Sequence, residues 1–328
     1  MQYLLLAVAF VLLLAGAVIF TNAVEWAGIR LGLGTGAVGS VLAAVATALP
    51  ESVIPVVAIL TGDQTGQIAI GSILGAPFLL ATLAMLLVGI STHAFAGRRE
   101  QRADLEIHPP TTARDLVVFA VFLAIALVLG LIGSQTVRIV AAVVFVVAYG
   151  LYVWRTVKHG GESGEEPSSL YFDPSKGDPP ANIAIILQVA LGIAAIVGGA
   201  HLFVTEIEHI AQEAGASPLA LALILAPLAT ELPEKANSIL WSRRGKDALA
   251  LGNITGALVF QSMVPVAVGL AFTPWALTTP SVLAIACALV GGMLALAAVL
   301  RKRRFSWPAM VGWGVLYAGF VVYVSFFG

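Results

Sequence analysis

Long apolar runs alternate with short polar ones along the whole chain. A helix crossing about 30 Å of hydrocarbon needs about 20 mostly apolar residues. By that measure the pattern predicts ten helices, at 2–27, 35–61, 66–92, 113–134, 136–156, 182–206, 217–242, 246–272, 279–300 and 306–327. The divisions are least marked between the fourth and fifth spans and around 206–217. The first run lacks a basic leading segment and is longer than a signal-peptide core, so it counts as a helix rather than a leader.

Composition narrows the class further. Of 328 residues, 59% are hydrophobic and 11% charged, and mean hydropathy is +0.97. An ordinary soluble domain carries about 25% charged residues. These figures exclude a soluble enzyme, a disordered chain and a nucleic-acid binder. The net charge of -1 attracts no acidic partner, and Cys287, the single cysteine, excludes a disulfide framework. The expectation is an all-α polytopic membrane protein whose first partner is the lipid bilayer.

The basic residues orient it. With ten spans, 15 of the 17 Lys and Arg residues fall at loops of one side; Arg138 falls on the other and Lys235 lies within a span. The positive-inside rule makes the crowded side cytoplasmic and places both termini outside, as in the inner membrane of a prokaryote. The polar stretch 159–180 is rich in Gly, Ser, Pro and acids and reads as a flexible tether. It divides the chain into a five-helix unit at 1–156, a cytoplasmic linker at 157–181 and a second five-helix unit at 182–328.

The two units resemble each other. At an offset of 183, Phe20 pairs with Phe203, Glu25 with Glu208 and Gly32 with Gly215. The densest match sets Ala46-Thr47-Ala48-Leu49-Pro50-Glu51 against Ala229-Thr230-Glu231-Leu232-Pro233-Glu234. After a two-residue slip, Gly71-x-x-x-Gly75-Ala76 matches Gly252-x-x-x-Gly256-Ala257. Five is odd, so the second copy enters the membrane from the opposite face. Two inverted five-helix repeats are an architecture of secondary transporters, whose sites lie at the repeat interface near mid-membrane.

Glu51 and Glu234 then fall near the middle of spans two and seven. A carboxylate there is costly, so it faces a cavity or a partner. Each follows a proline, which lacks an N–H and clashes with the preceding turn. The helix is therefore expected to break before each acid, freeing carbonyls at 46–49 and 229–232. Carbonyl oxygens beside a carboxylate suit a hard cation. Ser72, Asn237, Asn253 and Gln261 are neutral candidates for supporting ligands or interhelical contacts.

T-x-L-P-E twice, each followed by G-x-x-x-G-A on the next helix, resembles the two alpha repeats of the calcium/cation antiporter superfamily, which includes sodium/calcium and proton/calcium exchangers. The resemblance implies that Glu51 and Glu234 ligate the transported metal, with the backbone carbonyls of Thr47 and Thr230. It also implies that helices one and six slide as a gate. Alanines 46 and 229 replace the usual Gly of this motif, and Ala48 and Glu231 replace its Ser. Leu80 and Gln261 stand where sodium/calcium exchangers often carry Asn or Asp, so several ligands of the flanking sodium sites are missing.

Glu51 and Glu234 together carry a charge that one divalent cation, two protons or two sodium ions would neutralise. Glu231 and Lys235 add opposite charges four residues apart, in the favourable order for a helical pair. Two other readings remain open: Glu231 as a third ligand, and Lys235 as a tethered competing cation. His201, His209, Glu25 and Glu208 read as interfacial.

The expectation is a secondary active antiporter, not an enzyme, exchanging Ca²⁺ or a similar divalent cation for H⁺ or Na⁺ by alternating access. Its partners are inorganic cations, and no cofactor is expected. A monovalent cation/proton exchanger is the alternative. A channel fits less well, because the acids form one compact pair. H-E-x-x-H and G-x-S-x-G, as an intramembrane enzyme would need, are absent.

Overall fold

The computed structural model describes residues 1–31, 49–61, 66–132, 134–159, 168–173, 180–301 and 304–327; of 157, 159, 232–237 and 327 only the backbone is described. The only regular secondary structure among the described residues is helical, with no strand. The helices are α1 (Gln2–Arg30), α2 (Leu49–Thr61), α3 (Gly66–Ala94), α4 (Pro109–Leu131), α5 (Gln135–His159), α6 (Asn182–Ala214), α7 (Pro218–Arg243), α8 (Asp247–Phe272), α9 (Thr279–Arg301) and α10 (Trp307–Phe327). Eight of them are long and apolar enough to cross a membrane. The described part of α2 and the apolar stretch Pro218–Glu231 of α7 are shorter.

Local chemistry explains the ends. At the junction of α6 and α7, Gly215 takes a left-handed φ of 62°, and the Ala216 N–H returns to the Ala211 carbonyl. That is the bond pattern of a glycine-terminated helix. Ser217 then caps α7, its Oγ accepting from the Ala220 N–H at 3.3 Å, and Pro218 fills the first turn where no N–H is needed. The sixth helix thus runs eight residues past the apolar pattern, through Glu208 and Glu213.

The anticipated break before Pro233 does not occur, because the backbone of α7 stays helical from Pro218 to Arg243. A proline removes one ladder bond, here the one to the Ala229 carbonyl, and tertiary packing holds the rest of the helix. The matching stretch before Pro50 lies outside the described residues. A real irregularity occurs elsewhere: Leu80–Ala84 of α3 is a π-helical turn, three residues past Pro77. Thr82 Oγ1 donates to the Phe78 carbonyl at 2.6 Å within it.

Among the described spans, α3 and α8 are the most enclosed, whereas α1, α5 and α10 show most of their surface. Helix pairings recur with the two halves exchanged. The α3 helix packs on α7, and α8 on α2; α8 packs on α4, and α3 on α9; α8 packs on α5, and α3 on α10. The outlying α1 and α6 run antiparallel along each other, their backbones brought close by Gly16, Gly192 and Gly199. Phe10 and Phe203 stack across that seam at 5.9 Å.

Helix association within lipid depends on close packing of small residues. A Cβ on Gly71 would lie 2.6 Å from the Leu219 carbonyl oxygen, and one on Gly75 only 2.2 Å from that of Leu223. Any side chain at Gly75 must therefore push α3 away from α7. Under the repeat offset, the partners of Gly252 and Gly256 would be Gly36 and Ser40, which lie outside the described residues. Gly75→Val is expected to destabilise the protein by about 1–3 kcal/mol through overpacking. Gly150→Ala, with nothing near its Cβ, is expected to leave it unchanged or slightly firmer. Thermal melting in detergent micelles checks both.

Candidate functional site

Glu51 lies near the first described residue of α2 and is buried, 7% exposed. Its helix packs against α3, α6, α7 and α8, so this acid sits among the enclosed helices rather than against lipid. Thr47 lies outside the described residues. Glu234, Lys235 and Asn237 lie on the helical backbone of α7, with side chains outside the described set. The convergence of Glu51 and Glu234, and the pairing of Glu231 with Lys235, therefore remain expectations at this point.

Around these positions the geometry is explicit. Glu231 is almost fully buried and accepts a hydrogen bond from Nε2 of Gln261 on α8, itself buried. That bond ties the helix bearing the second T-x-L-P-E motif to the helix bearing the second G-x-x-x-G-A motif. Thr230 is buried, and its Oγ1 donates to the Ala226 carbonyl at 3.2 Å. Its hydroxyl is thus used within its own helix. Ser72 behaves likewise, donating to the Ala69 carbonyl at 3.0 Å. Asn253 is half-buried on α8, and Leu80 is wholly buried within the π turn. A buried leucine offers no oxygen to a cation.

His201 and His209 are exposed on α6, and Glu25 and Glu208 are half-buried. His209 Nδ1 stands 3.8 Å from Oε1 of Glu206, a buried acid absent from the sequence-based expectations. Among the described residues, no group of three or more His, Cys, Asp or Glu is placed to hold a metal. A site built from Glu51 and Glu234 supplies only two such side chains and relies on backbone oxygens for the rest.

Two further polar junctions escaped the sequence reading. Asp115 of α4 is buried and accepts from Tyr152 Oη of α5 at 2.9 Å, from Arg114 Nη2 at 2.9 Å and from Thr255 Oγ1 of α8 at 3.3 Å. It joins three helices. Asp247, at the start of α8, pairs with Arg99, both side chains fully enclosed, and also accepts from the Glu106 N–H at 3.0 Å. This ion pair binds the α3–α4 connection to the α7–α8 connection. An acid lying within a predicted span was the available signal for Asp115. Asp247 gave a weaker one, because it stands at a span's edge among other charges.

Comparison with known proteins places this arrangement. The sequence matches the sodium/calcium exchanger protein family over residues 1–158 and 184–326. The chain belongs to that family. It is a membrane transporter of the cation-exchanger type and not an enzyme. An uncharacterized membrane protein of Methanocaldococcus jannaschii, MJ0091, is 25% identical over 240 residues, covering 72% of this chain and 70% of that one. Among solved structures, the H⁺/Ca²⁺ exchanger CAX superposes with a TM-score of 0.73 at 19% identity, covering 100% of this chain and 82% of its own. The sodium-calcium exchanger NCX_Mj superposes with a TM-score of 0.59 at 18% identity, covering 100% and 98%. At these identities the superpositions establish the fold.

Removing one partner of an enclosed ion pair leaves an uncompensated charge, at a cost of about 3–5 kcal/mol. Arg99→Ala is expected to lower the melting temperature of this exchanger strongly. The double replacement Arg99→Met with Asp247→Leu is expected to recover most of the loss. Melting curves of the two variants beside the parent decide it.

Proposed function

We propose that this exchanger carries Ca²⁺ or a similar divalent cation against H⁺, through one site between Glu51 on α2 and Glu234 on α7. The ten helices serve as two inverted five-helix repeats, 1–156 and 182–328, joined by a cytoplasmic linker at 157–181. Both termini face outside, in the inner membrane of a prokaryote. The observation that carries the reading is a buried Glu51 on a helix packed against α3, α6, α7 and α8, in a chain that repeats its T-x-L-P-E motif on α7. The half-exchanged helix pairings and the family match in two segments flanking the linker support the repeat.

The chemistry follows from competition for the same oxygens. Two carboxylates neutralise one divalent cation. Alternatively each takes up a proton. Metal and protons then exclude each other, and alternating access converts that exclusion into antiport. Carbonyls of Thr47 and Thr230, with Asn253 nearby on α8, complete the cation's oxygen shell. Glu231, held by Gln261, shapes the wall of the site and adds charge close to Glu234.

Protons are favoured over sodium as the counter-ion on a specific observation. Leu80 is enclosed and apolar, and the Gln261 amide is engaged with Glu231. Neither position is free to complete a separate sodium site. A Na⁺/H⁺ exchanger is the second reading, since two carboxylates would equally hold two monovalent ions.

Calcium uptake into proteoliposomes, under separately imposed pH and sodium gradients, tests the proposal. Uptake is expected with the pH gradient and not with the sodium gradient. Uptake under neither, with sodium-driven proton movement instead, would establish the second reading. Glu51→Gln and Glu234→Gln are each expected to abolish exchange while the protein still folds. Wild-type exchange in both glutamine variants would defeat the site.

A further inference from the structure

Part of the linker is not a free tether. Residues 168–173 lie against α1 and α6 near the Arg30 end of one helix and the Asn182 end of the other. Asn22 of α1 and Gln188 of α6, 4% and 0% exposed, face each other there. Gln188 Nε2 donates to Asn22 Oδ1 at 2.8 Å and to the Ile19 carbonyl at 3.0 Å. The remaining capacity of these two amides is spent on the linker. Asn22 Nδ2 donates to the Ser168 carbonyl at 3.1 Å, and Trp26 Nε1 donates to the same oxygen at 2.9 Å. In return, the Tyr171 N–H donates to Asn22 Oδ1 at 3.3 Å and the Phe172 N–H to Gln188 Oε1 at 2.9 Å.

An apolar plug completes the contact. Leu170 is 6% exposed, in a slot formed by Ala23, Trp26 and Ala27 of α1 with Ala184, Ile185 and Val189 of α6. Arg30 Nη2 donates to the Pro180 carbonyl, holding the far end of the linker to α1 as well. Withdrawing the segment would expose Leu170 and leave enclosed amide groups of Asn22 and Gln188 short of partners, which costs free energy. Hydrogen bonds and apolar contacts act together, and all of those named end on α1 or α6.

We propose that 168–173 is a clip that locks α1 to α6 at this end, so that the two helices travel as one body. Antiparallel packing along the glycine seam fixes their spacing over the middle, and the clip fixes it where polar side chains would otherwise loosen the pair. Because the contacts named above join the clip to both helices, it stiffens the pair. Its bearing on transport rests on the alternating-access reading above; the clip itself rests on the contacts.

The test uses the full chain in lipid nanodiscs. With Cys287→Ser as background, Leu31→Cys and Ile183→Cys place spin labels on exposed positions of the two ends. Pulsed dipolar spectroscopy then reads their separation. A single narrow distance is expected in the parent and a broadened one in Leu170→Asp. Leu170→Ala, which introduces no charge, gives intermediate broadening and serves if the aspartate variant does not fold. In proteoliposomes, the same replacements are expected to lower the exchange rate about threefold, as gating mutants do, with calcium affinity unchanged. A distribution unaltered by either replacement overturns the clip, and so does faster exchange, which would mark the segment as a brake. If the parent shows no exchange at all, the antiport reading fails, while the distances still decide the clip.

Discussion

Inside hydrocarbon there is no water to satisfy a polar group, and this constraint shapes the whole molecule. Many of the described polar side chains within the bundle are answered by another helix or by a backbone carbonyl of their own, though the enclosed hydroxyls of Thr21 and Ser242 are not. Asp115 gathers α4, α5 and α8; Gln261 joins α8 to Glu231 on α7; Gln188 and Asn22 join α6 to α1. Hydrogen bonds of this kind are modest singly in membranes. Their value here is positional, because each fixes the register of helices whose apolar surfaces alone would pack in several ways.

Apolar surface provides little distinction between lipid and protein, so close approach must come from shape. The α3–α7 contact relies on Gly71 and Gly75, whose missing side chains admit the carbonyls of Leu219 and Leu223. The α1–α6 seam uses the same device. The two contacts differ in surroundings: α3 lies within the bundle, whereas α1 lies mostly at its surface. A surface pair can shift as a unit while an enclosed core stays packed, which is the mechanical division alternating access requires. Under the proposed mechanism, the clip from the linker would belong with this surface pair.

Pro77 cannot donate to the carbonyl one turn back, yet α3 continues through it and widens into the π turn at Leu80–Ala84 just beyond. The same tolerance carries α7 through Pro233. Prolines in an enclosed membrane helix loosen the backbone locally, and neighbouring helices keep it from breaking. A motif that reads as a break along the chain is a pliable point in the fold.

Hydropathy alone located the described helix ends to within about four residues, except at the end of α6, which runs eight residues further. Leaving hydrocarbon is so costly that any run of sufficient length must be buried in it. The proposed transport site rests on the repeated L-P-E for a similar reason: only function or pairing excuses an acid within a span. Cooperation between distant residues was not legible. Asp115 and Thr255, Arg99 and Asp247, and Asn22 and Ser168 are each separated by about 140 residues or more, and no local period announces such partners. Glu231 looked like the i,i+4 mate of Lys235, but the structure adds Gln261 as a donor from another helix. The linker's composition announced a tether, and only folding brought Leu170 to a slot between two helices. Local hydrophobicity is a property of each segment by itself; partner choice depends on which segments meet, and the three-dimensional packing decides that.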